Sequence, residues 1–504
     1  MLKRSYLNLL DRAEWLPVTV LLVLGCALRL ALAGSLPLGL NQDEASAGYD
    51  AWAILTAGID RCGDPYPVLL TAWGSGQNAL MSYLAMPGIA LFGLNELTVR
   101  LPCALCGCLS LWVFWALARH IRGPRFGVTA LLVLALNPWH IMLSRWGLES
   151  NLLPFFLLTG IYFTVLSREK PWRLVPAAAF FGLSLYAYGT AFFFLPFFLV
   201  FALLWLRRRL RPAPFLCALG LFILLALPIA GAQAISALGL EEVRVLGLTL
   251  PRLTEGRQAA TSVFGGARPL ENFKGFLRIL WTQSDGLIWN ALPLRRGGMF
   301  YFFGLPTAVV GLLGSILHRK DRQREAPLRF AVYAGLICAF LISGNINRLN
   351  LLWLPILYFS ALGVHLLLSR LGSWAALPAA GLLACCVIFC SAYVKTFGGR
   401  GDPNFFPGLG EAIEYAESLE GDTIYITNIV NQPYIFALFY SETPPETFVE
   451  TVEYRDETAA FRQVERFSGF EFEDPEAADI HIRWLGEETG EVLARFGLLT
   501  VSVP

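Results

Sequence analysis

Residues 15–44 read WLPVTVLLVLGCALRLALAGSLPLGLNQDE, an apolar run followed within a few residues by two adjacent carboxylates, Asp43 and Glu44. About 20 apolar residues at a rise of about 1.5 Å match a hydrocarbon core roughly 30 Å thick, so the run predicts a first membrane span over 15–36. Acids at a membrane edge are costly to hold and therefore candidates for chemistry: a carboxylate accepts a proton from an attacking hydroxyl or holds a cation. Acid pairs also arise as plain solvated charges at helix N-termini, so the context decides.

That context is a membrane. Of 504 residues, 56% are hydrophobic and 15% charged, and the mean hydropathy is +0.55. These values exclude an ordinary soluble domain and require repeated spans. The net charge of +1 conceals an asymmetry, because residues 401–504 carry 21 acidic against 5 basic side chains. The chain thus divides into an all-α polytopic membrane domain over 1–394 and a soluble, acidic α/β domain over 395–504. The first apolar segment lacks a small-residue cleavage site and is expected to remain as an anchor. Membrane lipid is an expected partner, and no motif points to nucleic acid.

Positive loops mark the cytoplasmic side, so Lys3, Arg4 and Arg12 place the N-terminus inside and Asp43 and Glu44 outside. Ala79–Gly93 is apolar but reaches only about 22 Å and is interrupted by Pro87-Gly88, which predicts an interfacial helix. The basic clusters at 119–125, 168–173, 207–211 and 319–324, and Arg370, then all fall inside. Eleven spans follow: 15–36, 98–118, 126–143, 150–167, 174–190, 191–206, 213–232, 299–317, 328–344, 349–368 and 374–394. Outside lie 37–97, 140–149, 233–298, 345–348 and the tail. The tail predicts helices at Gly408–Leu419 and Glu457–Phe467 and strands at Thr423–Asn428 and Ala478–Trp484.

The outer segments hold the polar chemistry. His140 to Asn151 concentrates His140, Arg145 and Glu149; a guanidinium grips a phosphate in bidentate fashion, and a carboxylate orients it or ligates a cation. The plainer reading of Arg145 and Glu149 is an i,i+4 helix pair. Arg348, in Gly344-Asn345-Ile346-Asn347-Arg348, is a second phosphate candidate, or a cation snorkelling to headgroups. Asn41, Gln42, Tyr49, Gln77 and Asn78 are expected to line the same space. Trp139, Trp146, Trp172 and Trp353 read as an interfacial belt, whereas Trp52 and Trp73 suit a belt or a sugar platform. The run Cys103-x-x-Cys106-x-Cys108 has no His or charged companion and reads as packing.

One span, an acidic pair, an interfacial helix and then Leu91-Phe92-Gly93-Leu94-Asn95-Glu96-Leu97-Thr98-Val99-Arg100-Leu101-Pro102 together resemble the GT-C glycosyltransferases of the protein O-mannosyltransferase and aminoarabinose-transferase type. The resemblance covers residues 36–156 well, and Arg348 with Pro355 resembles a later basic-residue-plus-proline segment. It implies inverting transfer of a hexose or pentose from a polyprenyl-phosphate donor to an acceptor hydroxyl on a glycan, lipid or protein, at the extracytoplasmic face of the plasma membrane. Asp43 would then be the general base with Glu44 beside it, Arg145 and Arg348 would hold the donor phosphate, and Glu44 and Glu149 would bind a divalent metal (Mn, Mg or Zn). Where many relatives carry Lys-Pro-Pro or His-Pro-Pro, this chain has Gly76-Gln77-Asn78-Ala79-Leu80, which offers only neutral hydrogen bonds. The alternatives are a flippase of lipid-linked sugars, which calls for mid-bundle charges and internal repeats, and a cell-envelope scaffold acting through the acidic tail.

Overall fold

A helix forms at each of the eleven predicted spans. The computed structural model describes residues 2–72, 75–253, 268–317, 321–371, 376–399, 401–456 and 462–504. The N-terminal half runs α1 (Leu2–Leu30), α2 (Gln42–Ala57), the hairpin β1 (Leu69–Ala72) and β2 (Ser75–Asn78), α3 (Leu80–Phe92), α4 (Glu96–Arg122), α5 (Pro124–Ala135), α6 (Pro138–Ser144), α7 (Leu153–Ser167), α8 (Leu174–Ala187), α9 (Ala191–Leu206), α10 (Pro212–Leu238) and the hairpin β3 (Val243–Val245) and β4 (Leu248–Leu250). Helices Tyr301–Leu317, Ala326–Leu341, Asn350–Leu371 and Ala376–Phe397 complete the bundle. Among the described residues, five helices are long and apolar enough to cross a bilayer alone, and a bent pair makes a sixth. The chain is a multi-pass membrane protein. Trp73 and residues 318–320 of the basic cluster lie outside the described residues.

The bent pair corrects the expectation of one straight span over 126–143. Its halves, α5 and α6, meet at 63°. Pro138 has no N–H to continue the ladder, and Asn137 instead caps α6 by accepting the His140 N–H at 2.9 Å. The break frees carbonyls at membrane depth, where irregular backbone persists only if protein covers it. Arg29 of α1 supplies that cover, donating to Leu134 O at 3.0 Å and Ala135 O at 3.2 Å while its Nη2 lies 2.8 Å from His140 Nδ1. The Arg29 charge therefore mends a broken helix.

The two ends of the bundle differ in chemistry. At one end the basic turns meet acids: Arg122 pairs with Glu325 and Asp321, and Arg324 with Glu169. At the other end the turns predicted to lie outside converge on a polar cavity.

Beyond Phe397 the chain forms a seven-stranded sheet, β5 (Ile424–Ile426), β6 (Glu453–Tyr454), β7 (Val464–Phe467), β8 (Phe470–Glu471), β9 (Ile480–Trp484), β10 (Glu491–Phe496) and β11 (Leu499–Val503), in the order β10-β11-β9-β5-β8-β7-β6. Strand β5 runs parallel to β8 and β9, and the other pairs are antiparallel. The helix expected at Glu457–Phe467 is corrected where it is described: 464–467 is a strand, and 457–461 lie outside the described residues. Ser468 and Gly469, both at positive φ, make the two-residue turn that returns β7 onto β8. This sheet domain is seated on α2. Leu40, Ala45, Tyr49 and Ala53 share one hydrophobic core with Ile413, Ile435, Phe439 and Phe448, and Tyr49 Oη donates to Thr443 O at 2.7 Å.

Candidate active site

Asn41-Gln42-Asp43-Glu44 begins α2 because Asn41 is a good N-cap: its Oδ1 accepts the Asp43 N–H at 3.1 Å, and Glu44 Oε2 reaches back to the Asn41 N–H at 3.1 Å. Consecutive helical residues are about 100° apart, so the capping box divides the two acids between different surroundings. Asp43 faces the cavity. Glu44 turns inward, fully buried, where Oε1 accepts Arg100 Nε at 2.8 Å and the Gly147 N–H at 2.8 Å, and Oε2 accepts Arg100 Nη2 at 3.1 Å. Arg100 also donates to the carbonyls of Ala33, Pro37 and Gly39. Glu44 is thus one half of a buried ion pair that fastens α2, α4 and the chain after α1. A Cβ on Gly147 would sit 3.1 Å from Val99 O and 3.3 Å from Glu44 Oε1, so that close approach suits glycine.

Arg145 and His140 also have buried partners. The Arg145 guanidinium donates to the carbonyls of Leu28, Ala31, Leu32 and Leu36 at 2.7–3.2 Å. A helix ends with unsatisfied carbonyls and negative partial charge, and a buried guanidinium answers both. Neither Arg145 nor His140 lines the cavity, and His140 is fully buried against Arg29. Tyr49 belongs to the sheet-domain interface. Trp139, Trp146 and Trp353 are buried, so of the four predicted belt tryptophans only Trp172 is exposed.

The cavity has a volume of about 240 Å³. Its wall combines Asn41, Gln42 and Asp43 from the start of α2, Asn78 after β2, Trp146, Leu148 and Glu149 between α6 and α7, Tyr188, Gly189 and Thr190 between α8 and α9, Gln233 at the end of α10, Trp289, and Asn345, Asn347 and Arg348. One guanidinium and two carboxylates, from segments up to 300 positions apart, thus share a wall of neutral amides and aromatic edges. Trp146 and Trp289 lie edge to face at 6.3 Å. Sequence reasoning missed their role, because a tryptophan beside a span looks the same on a lipid belt and on a cavity wall.

Several contacts fix these groups. Arg348 Nη1 donates to Ser343 O at 3.1 Å and Ser343 Oγ at 2.9 Å. The turn beneath it is held by Asp285 Oδ2, which accepts the Ile346 N–H at 2.9 Å, and by Trp353 Nε1, which donates to Ile346 O at 2.9 Å. Glu149 Oε2 accepts the Asn78 N–H, and Asn78 Oδ1, in the orientation its surroundings require, accepts Tyr188 N–H at 2.8 Å and Gly189 N–H at 3.0 Å. Behind α2, Gln77 donates to Asp43 O at 3.3 Å and accepts Ser46 Oγ at 2.8 Å, and Ser46 Oγ accepts Arg61 Nη2 at 2.5 Å. Asp50 pairs with Arg61 at 3.2 Å. Beside them Asp60 is buried, and burial, with the negative charges of Asp50 and Asp64 adding to it, pushes its carboxyl from 3.8 up to about 8.

A divalent metal finds a poor fit. Among the described residues, no group of three or more His, Cys, Asp or Glu side chains converges as ligands. With Glu44 committed to Arg100, the cavity offers Asp43 and Glu149, and the latter already accepts a backbone N–H.

The helical bundle with a polar cavity at one end and an appended sheet domain is the GT-C glycosyltransferase fold. Crystallised ArnT from Cupriavidus metallidurans, bound to undecaprenyl phosphate, superposes with a TM-score of 0.53 at 14% identity, over 96% of this chain and 97% of that one. The Archaeoglobus fulgidus oligosaccharyltransferase tethered to an acceptor peptide with the NVT sequon gives 0.53 at 13% identity, over 85% of this chain and 63% of that one. Within that class, residues 78–230 match the family described as dolichyl-phosphate-mannose-protein mannosyltransferase. Curated protein sequences give no match.

Proposed function

We propose that this protein is an inverting glycosyltransferase that moves a sugar from a polyprenyl-phosphate donor to an acceptor hydroxyl at the extracytoplasmic membrane face. The observation that carries the reading is the sharing of one polar cavity, at one end of an apolar bundle, by Asp43 and Arg348. Asp43 takes the acceptor proton as the hydroxyl oxygen attacks the anomeric carbon. The bond from that carbon to the phosphate oxygen breaks on the opposite side, its electron pair stays on the lipid phosphate, and Arg348 offsets the negative charge that develops there. Single displacement inverts the configuration. The amides and Trp146 fit a neutral polyol, and Glu149 anchors Asn78 against the α8–α9 turn. The likeness to a structure bound to undecaprenyl phosphate supports a prenyl-phosphate donor, whose phosphate would meet Arg348. The purified protein should consume one member of a panel of polyprenyl-phosphate sugars, with and without chelator, and Asp43→Asn and Arg348→Gln should each suppress turnover. Full turnover by Asp43→Asn would overturn the mechanism.

A further inference from the structure

The bundle contains a second hollow with a different lining. Helices Tyr301–Leu317, Asn350–Leu371 and Ala376–Phe397, with Leu132 of α5, enclose a slot of about 640 Å³ whose wall is apolar except for Thr307 and Arg370. It opens sideways between Phe302, Leu367 and Leu371, whose side chains are exposed on the outer surface of the bundle. Protein interiors hold few voids larger than a water molecule, and hollows of about 300–1,000 Å³ are ligand-sized, so a slot of this volume calls for an apolar occupant.

The position of Arg370 identifies the occupant further. The helix Asn350–Leu371 has 22 residues, which at about 1.5 Å each is roughly the thickness of the hydrocarbon core. Arg348, just before its first turn, faces the polar cavity, and Arg370, in its last turn, faces the slot. The two guanidiniums therefore mark opposite interfaces of the bilayer. We infer that the slot binds a phospholipid of the leaflet opposite the polar cavity, with one acyl chain along the apolar wall and the phosphate on Arg370. A guanidinium at interface depth attracts anionic headgroups, and the slot beside it holds the chain that such a headgroup carries. This site is separate from the proposed transfer reaction and does not depend on it.

Two variants test the two halves of the site. Arg370→Gln removes the charge, and Gly381→Leu plugs the slot, since Gly381 lines it and a Cβ there meets nothing within 4 Å. Leucine also favours helix over glycine, so the plugged protein should fold. Native mass spectrometry of the detergent-purified protein, titrated with phosphatidylglycerol or phosphatidylcholine, provides the measurement. The wild type should retain one lipid and prefer phosphatidylglycerol, Arg370→Gln should lose that preference, and Gly381→Leu should lose the retained lipid. Equal retention of both lipids by the wild type, or undiminished retention by Gly381→Leu, would overturn the proposal and leave Arg370 as a snorkelling cation. If one variant fails to fold, the other still decides.

Discussion

Asp43→Asn and Glu44→Ala alter neighbouring carboxylates whose surroundings give them different consequences. Asparagine at 43 keeps the shape of the first turn and removes a base, so turnover should fall about 10²–10⁴-fold with thermal unfolding unchanged. Alanine at 44 strands the buried Arg100 guanidinium and should cost about 3–5 kcal/mol, read as a lowered unfolding temperature in detergent. Gly189 offers a third test: it lines the cavity and a Cβ there meets nothing within 4 Å, so Gly189→Leu should fill the site, raise the donor KM and leave unfolding unchanged. The place of Asp43 at the edge of the apolar bundle was legible in the sequence, as an acid just past the first apolar run. The partners of Glu44 and Arg145 were not legible, because a guanidinium at a membrane edge looks the same whether it meets a phosphate or four carbonyls. Arg100 did leave a signal, a cation leading into the apolar body of α4, which calls for a buried partner.

At the level of elements, the segment carrying Asp60 gives a pH prediction. Asp60 Oδ1 accepts the Cys62 N–H at 2.8 Å and the Asp64 N–H at 2.9 Å, so this carboxyl organises the turn after α2. Its folded-state pKa, raised from 3.8 to about 8, means that folding strengthens its hold on a proton. Its contribution is therefore complete at pH values below the unfolded value and is lost as pH rises through about 8. The unfolding temperature should decline over that interval in the wild type, and Asp60→Asn should flatten the decline; equal slopes would exclude the assignment. The elements differed in how openly the sequence announced them. A short apolar run disclosed α3 and helix periodicity the helix Leu409–Glu417, whereas β7 stands where a helix is expected although Ser468-Gly469 spells a hairpin turn. Pro138 was likewise the visible mark of the break between α5 and α6.

For the whole molecule, the shared core of α2 and the sheet domain predicts what truncation does. Ending the chain at Gly398 would expose Leu40, Ala45, Tyr49 and Ala53 and unsettle the helix that presents Asp43, so the truncated protein should aggregate on size-exclusion chromatography and lose turnover. Recovery of a monodisperse, active fragment would contradict that dependence. Composition and the acidic tail announced two chemically different parts, but α2 meets Phe439 across nearly 400 positions, a contact that local pattern does not encode. Arg29 has a consequence for biogenesis. As α1 leaves the ribosome, its arginine has only the Gly25 carbonyl of its own helix, and the carbonyls of Leu134 and Ala135 that will receive it are about 100 residues from synthesis. A guanidinium that ends against the broken backbone of α5 and α6 favours retention of α1 at the insertion machinery until α5 arrives, so that the two enter the membrane as a pair.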